Sequence, residues 1–240
     1  MQKHLLLLLI LLLTFPILAQ DDMMMETVNL GASDGLVLVG DMYRPDMDGE
    51  AAAVLLIHML GSNRTTYAPL IPALLEAGYV VLNVDMRGHG ETGGSQDWAL
   101  AETDIQVWLD WLREQENVSS DAVSIIGASI GGNLALIGCA NDAQCLTSIA
   151  LSPGIDYRGV MPESAVTEGL SNRSALLVAS HNDGFSADSV RQIFANATGN
   201  VSARLYNGRA HGIQLFDNEL ESITTLILSW LDEHVAALDA

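Results

Sequence analysis

GASIGG, residues 127–132, follows the apolar run Val123-Ser124-Ile125-Ile126 and precedes Asn133-Leu134-Ala135-Leu136-Ile137. The first run reads as a buried strand and the second as the opening of a helix. Between them Gly127-Ala128-Ser129-Ile130-Gly131 fits G-x-S-x-G, a sharp strand-to-helix turn that presents a serine hydroxyl. The small residues two places either side suit such a turn, because larger side chains would collide with neighbouring elements. The helix that follows brings its N-terminus near the serine, which favours negative charge developing there.

The same alternation extends along the chain. Residues 26–31 and 36–44 read as two strands joined by a turn at Ser33-Asp34-Gly35. Ala52–His58 and Tyr79–Asp85 are continuous apolar runs, as expected of strands buried on both faces. Ala122–Ala128, Leu146–Leu151, Ala175–Ser180 and Ser202–Tyr206 complete the strands. Helices are predicted over about 67–77, 131–139 and 187–195. Two more follow from helical spacing, one carrying Ile105, Trp108, Leu109 and Leu112, the last carrying Ile223, Leu226, Ile227, Trp230 and Leu231. The pattern predicts an α/β fold: a mostly parallel twisted sheet with helices on both faces and an antiparallel hairpin at one edge. Ligands of such sheets bind at the carboxyl ends of the strands.

A serine hydroxyl is a poor nucleophile until a base takes its proton, and histidine oriented by a carboxylate is the usual base. His211, in GRAHGIQLF just after the last predicted strand, is the best candidate among six histidines. His58 reads instead as a brace for its own loop. The acid should end a strand between Ser129 and His211. Asp183, in ALLVASHNDGFS, fits, and Asp156, in LSPGID, is its rival. Acyl transfer also needs donors for an oxyanion. Ile130 offers one backbone N–H, and Leu60 or Met59, in the loop after the early strand, offers the second, with Leu60 preferred.

Composition narrows the setting. The 240 residues are 49% hydrophobic, enough for one domain with a substantial core. MQKHLLLLLILLLTFPILAQ reads as a secretory signal cleaved after Ala19, its apolar run short against the roughly 20 residues of a membrane span. The expected organisation is therefore a signal peptide over 1–19 and a single domain over 20–240. The mature protein is expected outside the cytoplasm, secreted or periplasmic, without stable membrane insertion. Thirty acidic residues against ten basic ones repel phosphate backbones, so nucleic acid is excluded as a partner. Cys139 and Cys145 flank the short ANDAQ stretch and are read as a disulfide, which export permits and which stabilises such a loop by about 2 kcal/mol.

IHMLGS, NVDMRGHGET, GASIGG, ASHND and RAHG occur in the order used by the α/β-hydrolase superfamily, and the chain resembles its compact dienelactone-hydrolase-like and prolyl-oligopeptidase-like esterase branches. The resemblance implies Ser129 as nucleophile, Asp183 as orienting acid, His211 as base, and Leu60 and Ile130 as oxyanion donors. It implies that Arg87 and His89 hold loops in place. The chain departs from its relatives in reading HMLG where many have HGxG, and in carrying serine where dienelactone hydrolases proper carry cysteine. Residues 152–174 leave room for little or no cap, so an open site is expected. The implied reaction is carboxylic-ester hydrolysis through an acyl-enzyme, on a small-molecule or exposed polymer ester, with no metal or organic cofactor. Peptidase, thioesterase or acyltransferase chemistry, and a non-catalytic binding protein, are the alternatives.

Overall fold

β3 (Ala51–Ile57) shows how this sequence builds its layers. Ala53, Leu55 and Ile57 point into one apolar cluster, and Val54 and Leu56 point into another on the opposite face. Successive strand side chains alternate faces, so an unbroken apolar run must be covered on both sides. In the computed structural model, which describes residues 24–235, helices supply that cover. α2 (Trp98–Arg113), α3 (Ile130–Asn141) and α4 (Gly184–Asn196) pack on the first face. α1 (Ile71–Glu76) and α5 (Phe216–Val235) pack on the second. The signal-peptide reading of residues 1–19 lies outside the described residues.

The remaining strands are β1 (Met24–Gly31), β2 (Val37–Arg44), β4 (Val80–Asp85), β5 (Val118–Ala128), β6 (Cys145–Leu151), β7 (Ser174–Ser180) and β8 (Asn200–Tyr206). The described residues form one eight-stranded sheet in the order β1-β2-β4-β3-β5-β6-β7-β8. β1 pairs antiparallel with β2 and β2 antiparallel with β4, while every later pairing is parallel. β3 sits between β4 and β5, so the chain leaves it first toward one edge and then toward the other. The carboxyl ends of β3 and β5 therefore flank a topological switch point, where open α/β sheets form their binding crevice.

Several boundaries differ from expectation. The helix expected over 67–77 is a short 3-10 turn, Arg64–Tyr67, followed by α1 from Ile71. Pro69 and Pro72 have no N–H to donate to the preceding turn, so one continuous helix cannot form, and Pro72 is tolerated because it lies in the first turn of α1. β5 begins at Val118 rather than Ala122, because its polar start pairs with Ala51 before a register shift ahead of the Ala53–Val123 pair. β8 begins at Asn200 and is largely exposed, as an edge strand is, so it lacks a continuous apolar run. Cys139 and Cys145 are joined in a disulfide that ties the end of α3 to the start of β6. Among the described residues no helix is long and apolar enough to cross a membrane.

Candidate active site

The turn between β5 and α3 is held by sterics. Ser129 adopts φ 55°, ψ −122°, a conformation that non-glycine residues avoid. A Cβ on Gly127 would lie 1.9 Å from the Gly131 carbonyl oxygen. A Cβ on Gly131 would lie 2.3 Å from the His58 carbonyl oxygen and 2.5 Å from that of Ile57. Both contacts are with backbone, so only glycine lets the turn close against the end of β3. The Ser129 N–H donates to the Leu151 carbonyl at 2.7 Å, which anchors the strained residue to β6.

Ser129 is buried, with its Oγ 2.8 Å from Nε2 of His211. Nδ1 of His211 lies 2.7 Å from Oδ2 of Asp183. A carboxylate there only accepts, so it places the ring proton on Nδ1 and leaves the Nε2 lone pair facing the serine. Asp183 lies three residues past the end of β7 and immediately precedes α4. Its position is secured by the His181 N–H donating to Tyr206 and the Asn182 N–H donating to Gly208, which prolong the β7–β8 pairing past the sheet. His211 follows β8 and opens a 3-10 turn, Gly212–Leu215, in which its N–H donates to the Gln214 carboxamide at 3.2 Å. Gly212 has φ 55°, and a Cβ built there would lie 3.0 Å from Met59 Sδ, so a side chain would be both strained and crowded. Asp156 lies elsewhere, in an exposed turn where Oδ1 accepts from the Gly159 N–H at 2.7 Å.

Leu60 and Ile130 line the same hollow, of about 260 Å³, as Ser129 and His211. Among the described residues neither amide donates to a protein acceptor. The Leu60 loop is braced from below by His58, which is wholly buried. Nε2 of His58 accepts from the Met86 N–H at 3.1 Å, so Nδ1 carries the proton and donates to the Met59 carbonyl at 2.8 Å. Burial lowers the His58 pKa to about 4, which keeps the ring neutral in this role. Arg87 and His89 are also structural. Arg87 grips Asp104 with Nε and a terminal nitrogen, at 2.7 and 2.8 Å, and reaches Asp34 at 3.0 Å.

The loop after β6 contributes residues that sequence reading missed. Tyr157 presents its ring edge to the His211 imidazole at a centroid distance of 6.2 Å. Its hydroxyl lies 2.9 Å from Ser186 Oγ and 3.2 Å from the Ser152 carbonyl. Burial raises the phenol pKa above its usual 10, so it remains a donor. Ser186 Oγ is 3.3 Å from His211 Nδ1, and Ser152 Oγ accepts from the Gly212 N–H at 2.9 Å. Asn133 in α3 clamps the loop: its carboxamide donates to the Gly154 and Val160 carbonyls and accepts from the Gly154 N–H. The available signal was the polar Asn133 inside an otherwise apolar helix start. Among the described residues no helix covers Ser129; the segment holds a tight turn at 157–160 and a five-residue π-helical turn, Ala165–Gly169. No group of three or more His, Cys, Asp or Glu side chains is placed to hold a metal ion among the described residues.

Comparison with known proteins agrees with this architecture. The Pyrococcus furiosus esterase Pf2001 superposes with a TM-score of 0.77 at 18% identity, covering 89% of this chain and 92% of that one. A dienelactone hydrolase from Anabaena variabilis superposes at 0.73 with 18% identity, covering 89% and 99%. The uncharacterized protein YfhR of Salmonella typhi is 30% identical over 126 residues, 48% of this chain and 43% of that protein. The matched region thus spans less than half the length of that relative. The family model of the X-Pro dipeptidyl-peptidases (S15 family) matches residues 34–170, which include Ser129 and end before Asp183 and His211. With that match over more than half its length and an α/β-hydrolase sheet around it, the chain belongs to the X-Pro dipeptidyl-peptidase (S15) family of the α/β-hydrolase superfamily.

Proposed function

We propose that the protein is a serine esterase that cleaves carboxylic esters through an acyl-enzyme. The observation that carries this reading is the hydrogen-bonded relay from Ser129 through His211 to Asp183, facing two unclaimed amides. Ser129 Oγ attacks the ester carbonyl while His211 Nε2 takes its proton. The Ile130 and Leu60 N–H groups receive the oxyanion. His211 then protonates the leaving alcohol, and water repeats the sequence on the acyl-enzyme. Asp183 steadies the imidazolium that forms in each half. The substrate is a small-molecule or exposed polymer ester, which the absence of a helix over Ser129 among the described residues would admit. The N-terminal apolar run and the disulfide both suit a protein that works outside the cytoplasm.

A second reading, release of dipeptides from a free N-terminus, follows from the matched family. It requires a group that holds the substrate's ammonium. Among the described residues no carboxylate lines the hollow, and its one formally cationic side chain is Arg158. That chemistry favours the ester. Fluorophosphonate labelling of the mature protein tests the proposal: an adduct on Ser129 that disappears in His211→Ala is expected. Folded protein that takes no label would rule out an activated serine. Parallel assays with 4-nitrophenyl esters and X-Pro anilides separate the two readings.

A further inference from the structure

Arg158 stands apart from every other arginine among the described residues. Arg44, Arg64, Arg87, Arg113 and Arg191 are salt-bridged. Arg173 is spent on the backbone carbonyls of Ala140, Gly169 and their neighbours. Arg204 lies over the Tyr206 ring. Arg209 shares its hollow with Asp217 and Glu219. Among the described residues Arg158, like Arg204 and Arg209, has no salt bridge, and it is the arginine that lines the hollow containing Ser129 and His211. In a chain with thirty acidic residues and ten basic ones, an unpaired guanidinium at this place is not explained by the surface at large.

The backbone holds it there. Tyr157 and Val160 exchange both backbone hydrogen bonds, at 3.2 and 3.0 Å, across a two-residue turn. Arg158 and Gly159 occupy its centre at φ 57° and 89°. Positive φ at both central positions defines a tight hairpin turn that suits glycine, asparagine or aspartate, and arginine at the first is strained. Asp156 closes the turn through the Gly159 N–H, and Asn133 clamps both ends of the loop from α3. The rest of the hollow is walled by Met59, Leu60, Ile130 and Tyr157.

We propose that Arg158 reads a carboxylate on the substrate, so that the protein acts on esters with an apolar body and a free anionic end, such as half-esters of dicarboxylic acids. This rests on the esterase reading above. A guanidinium fork matches a carboxylate, and a single cation counters locally the repulsion that a net charge of −20 imposes on an incoming anion.

The test compares mono-4-nitrophenyl esters of glutaric, adipic and suberic acids with neutral 4-nitrophenyl esters of the same carbon number. The quantity read is the ratio of kcat/KM, anionic over neutral. The wild type should favour at least one anionic ester by about tenfold, mainly through KM, and the preference should shrink as salt is raised. Arg158→Gln should bring the ratio close to one, Arg158→Lys should retain part of it, and Arg158→Glu should reverse it. A wild-type ratio near one for all three lengths, or a ratio unchanged in Arg158→Gln, overturns the proposal. Fluorophosphonate labelling of the same preparations separates the failures. Labelled Ser129 with a flat ratio refutes the role of Arg158 alone, whereas folded protein without label refutes the esterase reading and this inference together.

Discussion

Nε2 of His211 lies 2.8 Å from Oγ of Ser129, although the two residues are 82 positions apart in the chain. The contact depends on three strand ends meeting on one side of the sheet, those of β5, β7 and β8. If the relay acts as a unit, Ser129→Ala and His211→Ala should each lower kcat by about a thousandfold or more, and the double variant should be little worse than either. Steady-state kinetics on a 4-nitrophenyl ester measures this; multiplicative losses would mean that the two side chains work independently.

The turn that carries Ser129 should tolerate little. Gly131→Ala drives a methyl into the carbonyls of Ile57 and His58, with no flexible side chain to yield. A loss of roughly 3 kcal/mol, or failure to fold, is expected. Gly132→Ala meets Ala150 Cβ and the Gly127 carbonyl oxygen, each at 3.3 Å, contacts that a shift of a few tenths of an ångström relieves, and should cost clearly less. Urea unfolding of both variants decides it, and equal losses would contradict the steric account.

Tyr157→Phe keeps the ring against His211 and removes the hydroxyl from Ser186 and the Ser152 carbonyl. The loss of one such hydrogen bond, about 1 kcal/mol, predicts a fall in kcat of roughly fivefold with little change in KM. A rise in KM with kcat unchanged would instead mean that the hydroxyl serves substrate binding rather than the relay.

Acid should loosen the protein through His58. Its folded-state pKa, about 4, lies below the ordinary 6.5, so as pH falls the unfolded chain takes up this proton first. The contribution is complete above pH 6.5 and is lost progressively down to about pH 4, amounting to roughly 3 kcal/mol. Unfolding free energies at pH 7, 5.5 and 4 should therefore fall more steeply for the wild type than for His58→Asn. Parallel slopes would place the acid sensitivity elsewhere.

Much of this molecule was legible in advance because its signals are local. An unbroken apolar run such as VVLNVD requires cover on both faces, and the glycines around Ser129 follow from close approach within one turn. Boundaries were less legible where backbone rules competed with periodicity, as at Pro69 and Pro72, or where an edge strand such as β8 needs no apolar pattern. The pairing of Cys139 with Cys145 was readable because only a short loop separates them.

The sequence by itself determined the layered sheet and the serine turn, since each depends on spacing and sterics within a few residues. Only the tertiary structure decided that Asp183 rather than Asp156 faces His211, and that Tyr157 and Arg158 join the site. Those outcomes depend on the β7–β8 pairing continuing past the sheet and on the Asn133 carboxamide clamping a loop more than twenty residues away. Hydrogen bonds between distant segments have no periodicity to betray them.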